Sequence, residues 1–199
     1  MDQNKQSEAN KEEEKGSSLL MYLHDFASWV IAIMLIFLLI FRIAVVSGQS
    51  MDQTLHHGDY LLILNNVFYT EPKQGDILVF SKKSFKDGEA VIKRVIATEG
   101  QWVDIDFDAG VVYVNGNPLD EPYANTPTFI DEGVSFPLMV DEGCIFVLGD
   151  NRNSSKDSRS PDIGQVDNRE ILGKAIFIIL PGSDEATGKK NFDRIGALS

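Results

Sequence analysis

The sequence predicts a mainly β domain carried behind a single membrane-spanning helix. Three observations lead there. Residues Phe26 to Val46 form an apolar run whose only charge is Arg42. After Val46 no stretch of helical period exceeds about ten residues. The chain instead breaks into short apolar runs punctuated by Gly58-Asp59, Gly75-Asp76, Asn115-Gly116 and Gly149-Asp150.

Taken in order, residues 1–25 are rich in Asp, Gln, Asn, Lys and Glu, with three Lys against six acids and no apolar periodicity before Leu19. Such a composition reads as a disordered tail. The run Phe26–Val46 is then long enough, at about 1.5 Å per helical residue, to span a hydrocarbon core of ~30 Å. Trp29 falls near one interface and Arg42 near the other, where its stem can snorkel. A cleavable secretory signal is the competing reading, since Val46 and Gly48 fit the small positions before a cleavage site. The run is longer than a signal's apolar core, however, and its leading flank is net negative, which favours an uncleaved anchor. Lys5, Lys11 and Lys15 precede the span, and only Arg42 lies near its exit until Lys73. That asymmetry predicts a cytoplasmic N-terminus and an extracytoplasmic domain over 47–199.

The exported segment has 153 of the 199 residues and carries −10 of the net charge of −12. Its strands are expected at Tyr60–Leu64, Asp76–Phe80, Ala90–Ala97, Val103–Phe107, Val111–Val114, Cys144–Leu148 and Ile171–Leu180. Asn115-Gly116 is a two-residue hairpin signal, and Pro118 just after it suits an edge. The last apolar run is too short to cross a membrane, so one crossing is expected. The acidity, without a clustered basic surface, argues against nucleic acid as a partner. The lone cysteine, Cys144, excludes an internal disulfide and a cysteine-rich metal site.

Few residues qualify for chemistry. His24 lies on the tail side, and the doublet His56-His57 before Gly58-Asp59 reads as solvated loop rather than ligand, so a hydrolytic base must be sought elsewhere. Lys93 sits inside Ala90-Val91-Ile92-Lys93-Arg94-Val95-Ile96-Ala97. Alternation puts it on one face with Val91 and Val95, and Arg94 on the other with Ile92 and Ile96. Packing an ammonium among valines desolvates it and lowers its pKa, freeing a lone pair for use as a base. The plainer alternative is an edge strand that displays Lys and Arg against aggregation. Ser50 follows Gly48 by two residues, and the glycine allows a tight turn with amide donors free for an oxyanion. The plainer alternative there is a polar exit loop. Position is informative, because Ser50 lies four residues past Val46, within about 14 Å of extended chain. The third cluster, Gly149 to Arg159, packs hydroxyls, acids and arginines into a loop able to satisfy a buried Lys and clamp Arg94. The same loop also reads as a surface turn.

In this order the segments Ser50-Met51 to Leu55, Gly58-Asp59-Tyr60, Lys93-Arg94-Val95 and Gly149 to Arg159 closely resemble type I signal peptidases (leader peptidases) of the compact Gram-positive type. The resemblance covers roughly residues 25–181. It implies a signal-peptidase-like (LexA-like) β core, with a smaller inserted β segment at about 103–140. It implies a membrane-bound serine endopeptidase that removes N-terminal signal peptides from exported preproteins after small residues at −1 and −3. Ser50 would be the nucleophile and Lys93 the neutral base. Ser155 would orient the Lys93 amine, Asp157 and Arg159 with Arg94 would brace the lysine strand against the loop, and Asp150 would support that loop. The oxyanion would meet the Ser50 amide. Gly48 stands where Gram-negative relatives carry a serine. The substrate pocket would draw on Val46, Gly48, Met51, Val91 and Ile92.

No metal or organic cofactor is implied; the partners are preproteins and the lipid bilayer, and a monomer is expected. Gln53 stands where the family usually has proline, and Ala97-Thr98-Glu99-Gly100-Gln101 departs from its Gly-x-Pro-Gly-Asp. The alternatives are a catalytically silent membrane-anchored assembly or chaperone protein of the same fold, and a β-lactamase-like Ser–Lys enzyme. The latter wants Lys three residues after the Ser, where this chain has Gln53.

Overall fold

The computed structural model describes residues 3–183 and 188–198, with side chains from Leu20 onward except Lys86. The chain divides at Ile40 into two units. The first is one helix, α1 (Gln3–Ile40). Its Leu20–Ile40 stretch has 21 residues and a mean hydropathy of 2.2, so it is long and apolar enough to cross a membrane. The backbone is helical from Gln3, where composition had suggested disorder over 1–25; Met1 and Asp2 lie outside the described residues. Lys, Glu, Gln and Ala are good helix formers, and residues added to an existing helix need no new nucleus.

At its other end α1 stops at Ile40, and the chain enters strand β1 (Phe41–Val45). The apolar run Phe26–Val46, expected to be one helix, is therefore two elements. Each residue of β1 pairs with β2 (Tyr60–Asn65), from Phe41↔Leu64 to Val45↔Tyr60. That ladder, with an aromatic and β-branched composition suited to strands, wins over helix continuation. Ala44 and Val46 pack on the core, whereas Ile43 and Val45 stay exposed.

The other strands are β3 (Ile77–Ser81), β4 (Ala90–Thr98), β5 (Trp102–Asp106), β6 (Val111–Val114), β7 (Asn117–Pro118), β8 (Leu138–Met139), β9 (Cys144–Leu148), β10 (Val166–Asp167), β11 (Ile171–Leu180) and β12 (Gly196–Ala197). The seven expected strands are β2, β3, β4, β5, β6, β9 and β11, with ends shifted by one residue at most. A large antiparallel sheet runs β1-β2-β11-β3-β4-β9-β10, with β12 on β11, and a smaller one runs β7-β6-β5-β8. Asn115 and Gly116 both have positive φ (53° and 78°), as the expected two-residue turn requires, and Pro118 lies on the edge strand β7.

Three apolar clusters fill the domain. Val46, Met51 and Leu55 join Leu61, Ile63, Ile77 and Val79 in one. Val91 and Val95 lie in a second with Phe80, Val147 and Ile171. In the third, Val103, Ile105, Val112 and Val114 of the small sheet pack on Ile96, Phe146 and Leu148 of the large one. Strand β4 therefore lies between β3 and β9 with both faces covered. Lys93 and Arg94 are buried, which rules out an edge strand displaying two cations.

Strand β11 bends at register shifts between Ile171 and Gly173 and again beyond Ala175. A Cβ at Gly173 would fall well inside contact distance of the Leu64 carbonyl and 2.7 Å from Ile63 Cγ2. Gly173→Ala should therefore cost about 1–3 kcal/mol through overpacking, read as a lower thermal unfolding midpoint of the full-length protein.

Candidate active site

The segment after β1 forms a closed loop. Val46 N–H donates to the Asp59 carbonyl (2.9 Å), and Gly58 N–H donates back to the Val46 carbonyl (2.9 Å). Inside it, Leu55 N–H donates to the Met51 carbonyl (2.8 Å), and the buried side chains of Met51 and Leu55 plug the loop into the core. Gly48 at φ 95° makes the bend before Ser50, a conformation that strains any residue with a Cβ. Its N–H donates to His57 Nδ1 (3.2 Å), so His57 braces the loop; among the described residues no cluster could hold a metal ion. Gln53 has φ 82°. A proline there would be locked near −65°, so the departure at this position goes with a different local backbone.

Ser50 is brought to Lys93. Lys93 Nζ donates to Ser50 Oγ at 2.6 Å, and the lysine is 3% exposed. A cavity of about 290 Å³ opens beside them, and Val46, Gly48, Met51, Val91 and Ile92 all line it. Ala44, Val79, Phe85, Ala90 and Lys156 line it too, and the sequence did not single them out.

The loop after β9 grips both sides of this contact. Asn151 N–H donates to the Ser50 carbonyl and Asn151 Nδ2 to the Gln49 carbonyl, each at 3.0 Å. A Cβ on Gly149 would overlap Ser155 Oγ and lie 2.5 Å from the Ser50 carbonyl, so only glycine lets the strand end pass this close. Ser155 Oγ donates to Asp157 Oδ2 (2.9 Å), which leaves the hydroxyl lone pairs to accept.

Three buried arginines organise the surroundings, each held by its own carboxylate. Arg94 makes a fork to Asp150 (Nε–Oδ1 2.9 Å, Nη2–Oδ2 2.7 Å) and also donates to the Gly75 carbonyl. Arg159 makes the same fork to Asp157 (2.8 and 2.9 Å) and donates to the carbonyls of Arg152 and Ser155. Arg152 holds Glu121 with two bonds of 2.5 and 2.6 Å. The brace expected from Asp157, Arg159 and Arg94 is thus two pairs, with Asp150 as Arg94's partner. Thr54 Oγ1 donates to Asp150 Oδ2 (2.5 Å), tying the Ser50 loop to that pair. The Arg94 guanidinium lies 4.0 Å from the centre of the Tyr123 ring, and burial, then the Glu121 charge, push that phenol up. Burial, then the Asp157 charge, likewise push the Glu132 carboxyl up.

Thr54, Glu121, Tyr123, Asn151 and Arg152 were not foreseen as site residues. The density of polar residues in Gly149–Arg159 signalled Asn151 and Arg152; Thr54 lies within the Ser50 loop itself, and Glu121 and Tyr123 arrive from a distant segment.

Against known proteins, the family model described as signal peptidase, peptidase S26, matches residues 19–180. The signal peptidase I of Bacillus licheniformis is 33% identical over 86% of this chain and 94% of its own. That of Bacillus caldolyticus is 37% identical over 77% of this chain and 88% of its own. A crystal structure of a signal peptidase I from Enterococcus faecalis is 32% identical, covering 52% of this chain and 96% of that one with a TM-score of 0.42.

Arg94 and Asp150 are 2% and 0% exposed, so neither tolerates loss of the other. Asp150→Asn should cost about 3–5 kcal/mol by leaving a buried guanidinium without its counter-ion. Urea denaturation of the full-length protein measures that loss.

Proposed function

The chain belongs to the signal peptidase family, peptidase S26, and on that footing we propose that Ser50 and Lys93 are its catalytic dyad. The reaction is cleavage of signal peptides from exported preproteins after small residues at −1 and −3. The observation that carries the assignment is the 2.6 Å contact between Lys93 Nζ and Ser50 Oγ.

Burial favours the uncharged amine. In that form the contact reverses, and the Ser50 hydroxyl donates to the lysine lone pair. As Oγ attacks the scissile carbonyl, Lys93 takes its proton and then delivers it to the leaving amine. The Ser50 amide faces the developing oxyanion. Water, deprotonated by the same lysine, releases the acyl group and restores the serine. Ser155, whose own proton goes to Asp157, accepts from the Lys93 amine and fixes its direction. Asp157 with Arg159, and Asp150 with Arg94, hold the loop and the lysine strand. These chain residues suffice for acyl transfer by this route.

The cavity beside the dyad accommodates the small side chains at −1 and −3 against Val46, Gly48, Met51, Val91 and Ile92. The substrate lies extended along the sheet there, with main-chain bonds giving affinity and the two shallow positions giving selectivity. The residues before the Leu20–Ile40 span lie in the cytoplasm and the β domain from Phe41 onward outside, as the lysines before the span favour. On the outer sheet face, Val45 pairs with Tyr60, and Ile43 and Phe177 both pair with the half-buried Leu62; the four exposed side chains around it form an apolar row suited to lipid.

Ser50→Ala and Lys93→Ala, each assayed for preprotein processing in membranes, should lower the rate by at least about 10²-fold. Full activity in either variant would remove the dyad. With chemistry limiting, kcat should rise with pH as Lys93 loses its proton, and a flat profile from neutral to alkaline pH contradicts the lysine as base.

A further inference from the structure

The family match ends at Leu180, yet the chain beyond it returns to the Ser50 loop. Gly182 passes so close to the His57 carbonyl that any Cβ there would overlap it, and its N–H donates to Asp59 Oδ1 (2.8 Å). A short 3₁₀ turn, Phe192–Arg194, is capped by the Asn191 side chain, which accepts from Asp193 N–H. That turn delivers Arg194 to the base of the loop. Its Nη1 donates to Asp59 Oδ1 (2.9 Å), and its Nη2 donates both to Asp59 Oδ2 (2.7 Å) and to the Thr54 carbonyl (3.1 Å).

Asp59 is fully buried and closes the loop through its carbonyl bond to Val46 N–H and its carboxylate bond to His56 N–H. Burial works to raise its carboxyl, but Arg194 and the Gly182 and His56 amides outweigh it and hold the group below its ordinary value. Thr54 is gripped from two directions, its carbonyl by Arg194 and its hydroxyl by Asp150. Farther along, β12 pairs with β11, and Leu198 packs on the cluster that holds Val46, Met51 and Leu55.

We propose that residues 188–198 set the position of the nucleophile, with Arg194 as a positioning residue that acts through Asp59 and Thr54. The inference rests on Ser50 being the nucleophile. Without Arg194 the Asp59 carboxylate loses its only charged partner among the bonds above, and the Thr54 carbonyl is released. The loop then relaxes at its base, and Ser50 Oγ moves relative to Lys93 Nζ. Angular and sub-ångström errors of that kind act on the reaction step more than on substrate binding.

The test uses the full-length protein in vesicles, processing a preprotein at a temperature well below each variant's unfolding midpoint. Arg194→Ala should lower kcat by about 10-fold or more with KM close to the parent's. Arg194→Lys keeps the charge on Asp59 but lacks the fork that also reaches Thr54, and should fall between the two. Arg169→Ala, at an exposed arginine paired with Asp167, is the control and should match the parent. A purely structural tail would lower the unfolding midpoint of Arg194→Ala while leaving kcat unchanged, and that result overturns the inference. If Arg194→Ala does not fold, Arg194→Lys decides: a reduced kcat supports the inference and a parental kcat overturns it. Ser50→Ala in the same assay separates the two levels. Its inactivity together with a fully active Arg194→Ala would refute only the tail's role, whereas an active Ser50→Ala would refute the nucleophile itself.

Discussion

Two ions with almost no access to water, Arg94 and Asp150, tie together the segments that meet at the site. Arg94 stands next to Lys93 on β4, Asp150 opens the loop after β9, and Thr54 brings the Ser50 loop to the same carboxylate. Desolvating two ions costs several kcal/mol each, so a pair of this kind adds little net stability over a well-packed apolar pair. What it supplies is direction. A guanidinium fork fixes both the distance and the plane of its partner, which greasy contacts among valines and isoleucines do not. The apolar clusters bring the three segments near each other, and the ion pair sets how they face.

The same arrangement bears on the charge of the domain. Residues 47–199 are strongly acidic, with −10 of the net charge of −12. Around the site the acids are already committed: Asp150 to Arg94, Asp157 to Arg159 and Glu121 to Arg152. Each forms a locally neutral unit. The three arginines thus hold the loop in place and also neutralise carboxylates around Lys93.

Much of this was legible in the sequence, for identifiable reasons. Strands with alternating or continuous apolar runs between glycine turns declared themselves, because a two-residue period and turn chemistry are local properties. Lys93 and Ser50 could be singled out because an ammonium inside a valine strand and a serine behind a bend-making glycine are locally odd. The end of α1 was not legible. Hydropathy cannot tell an apolar helix from an apolar strand, and the ladder with β2 that converts Phe41–Val45 depends on residues far along the chain. Partner choice among charges was equally hidden: Arg94 takes Asp150, and Arg194 takes Asp59 across 135 positions. Nothing local to either residue encodes that pairing. Gln53 lies between the two cases, since its departure was visible but its φ of 82° was not.

The junction at Ile40 also divides the chain into two regimes of tolerance to insertion and deletion. A residue gained or lost within the apolar helix changes its length by about 1.5 Å and its phase by about 100°, which a bilayer absorbs through a small change of tilt. A residue gained or lost between Phe41 and Val46 is different in kind. Strand faces alternate with period two, so Ala44 and Val46 would exchange places with Ile43 and Val45, and the wall of the cavity would turn outward. One uninterrupted apolar run in the sequence thus contains a length that can drift and a register that cannot.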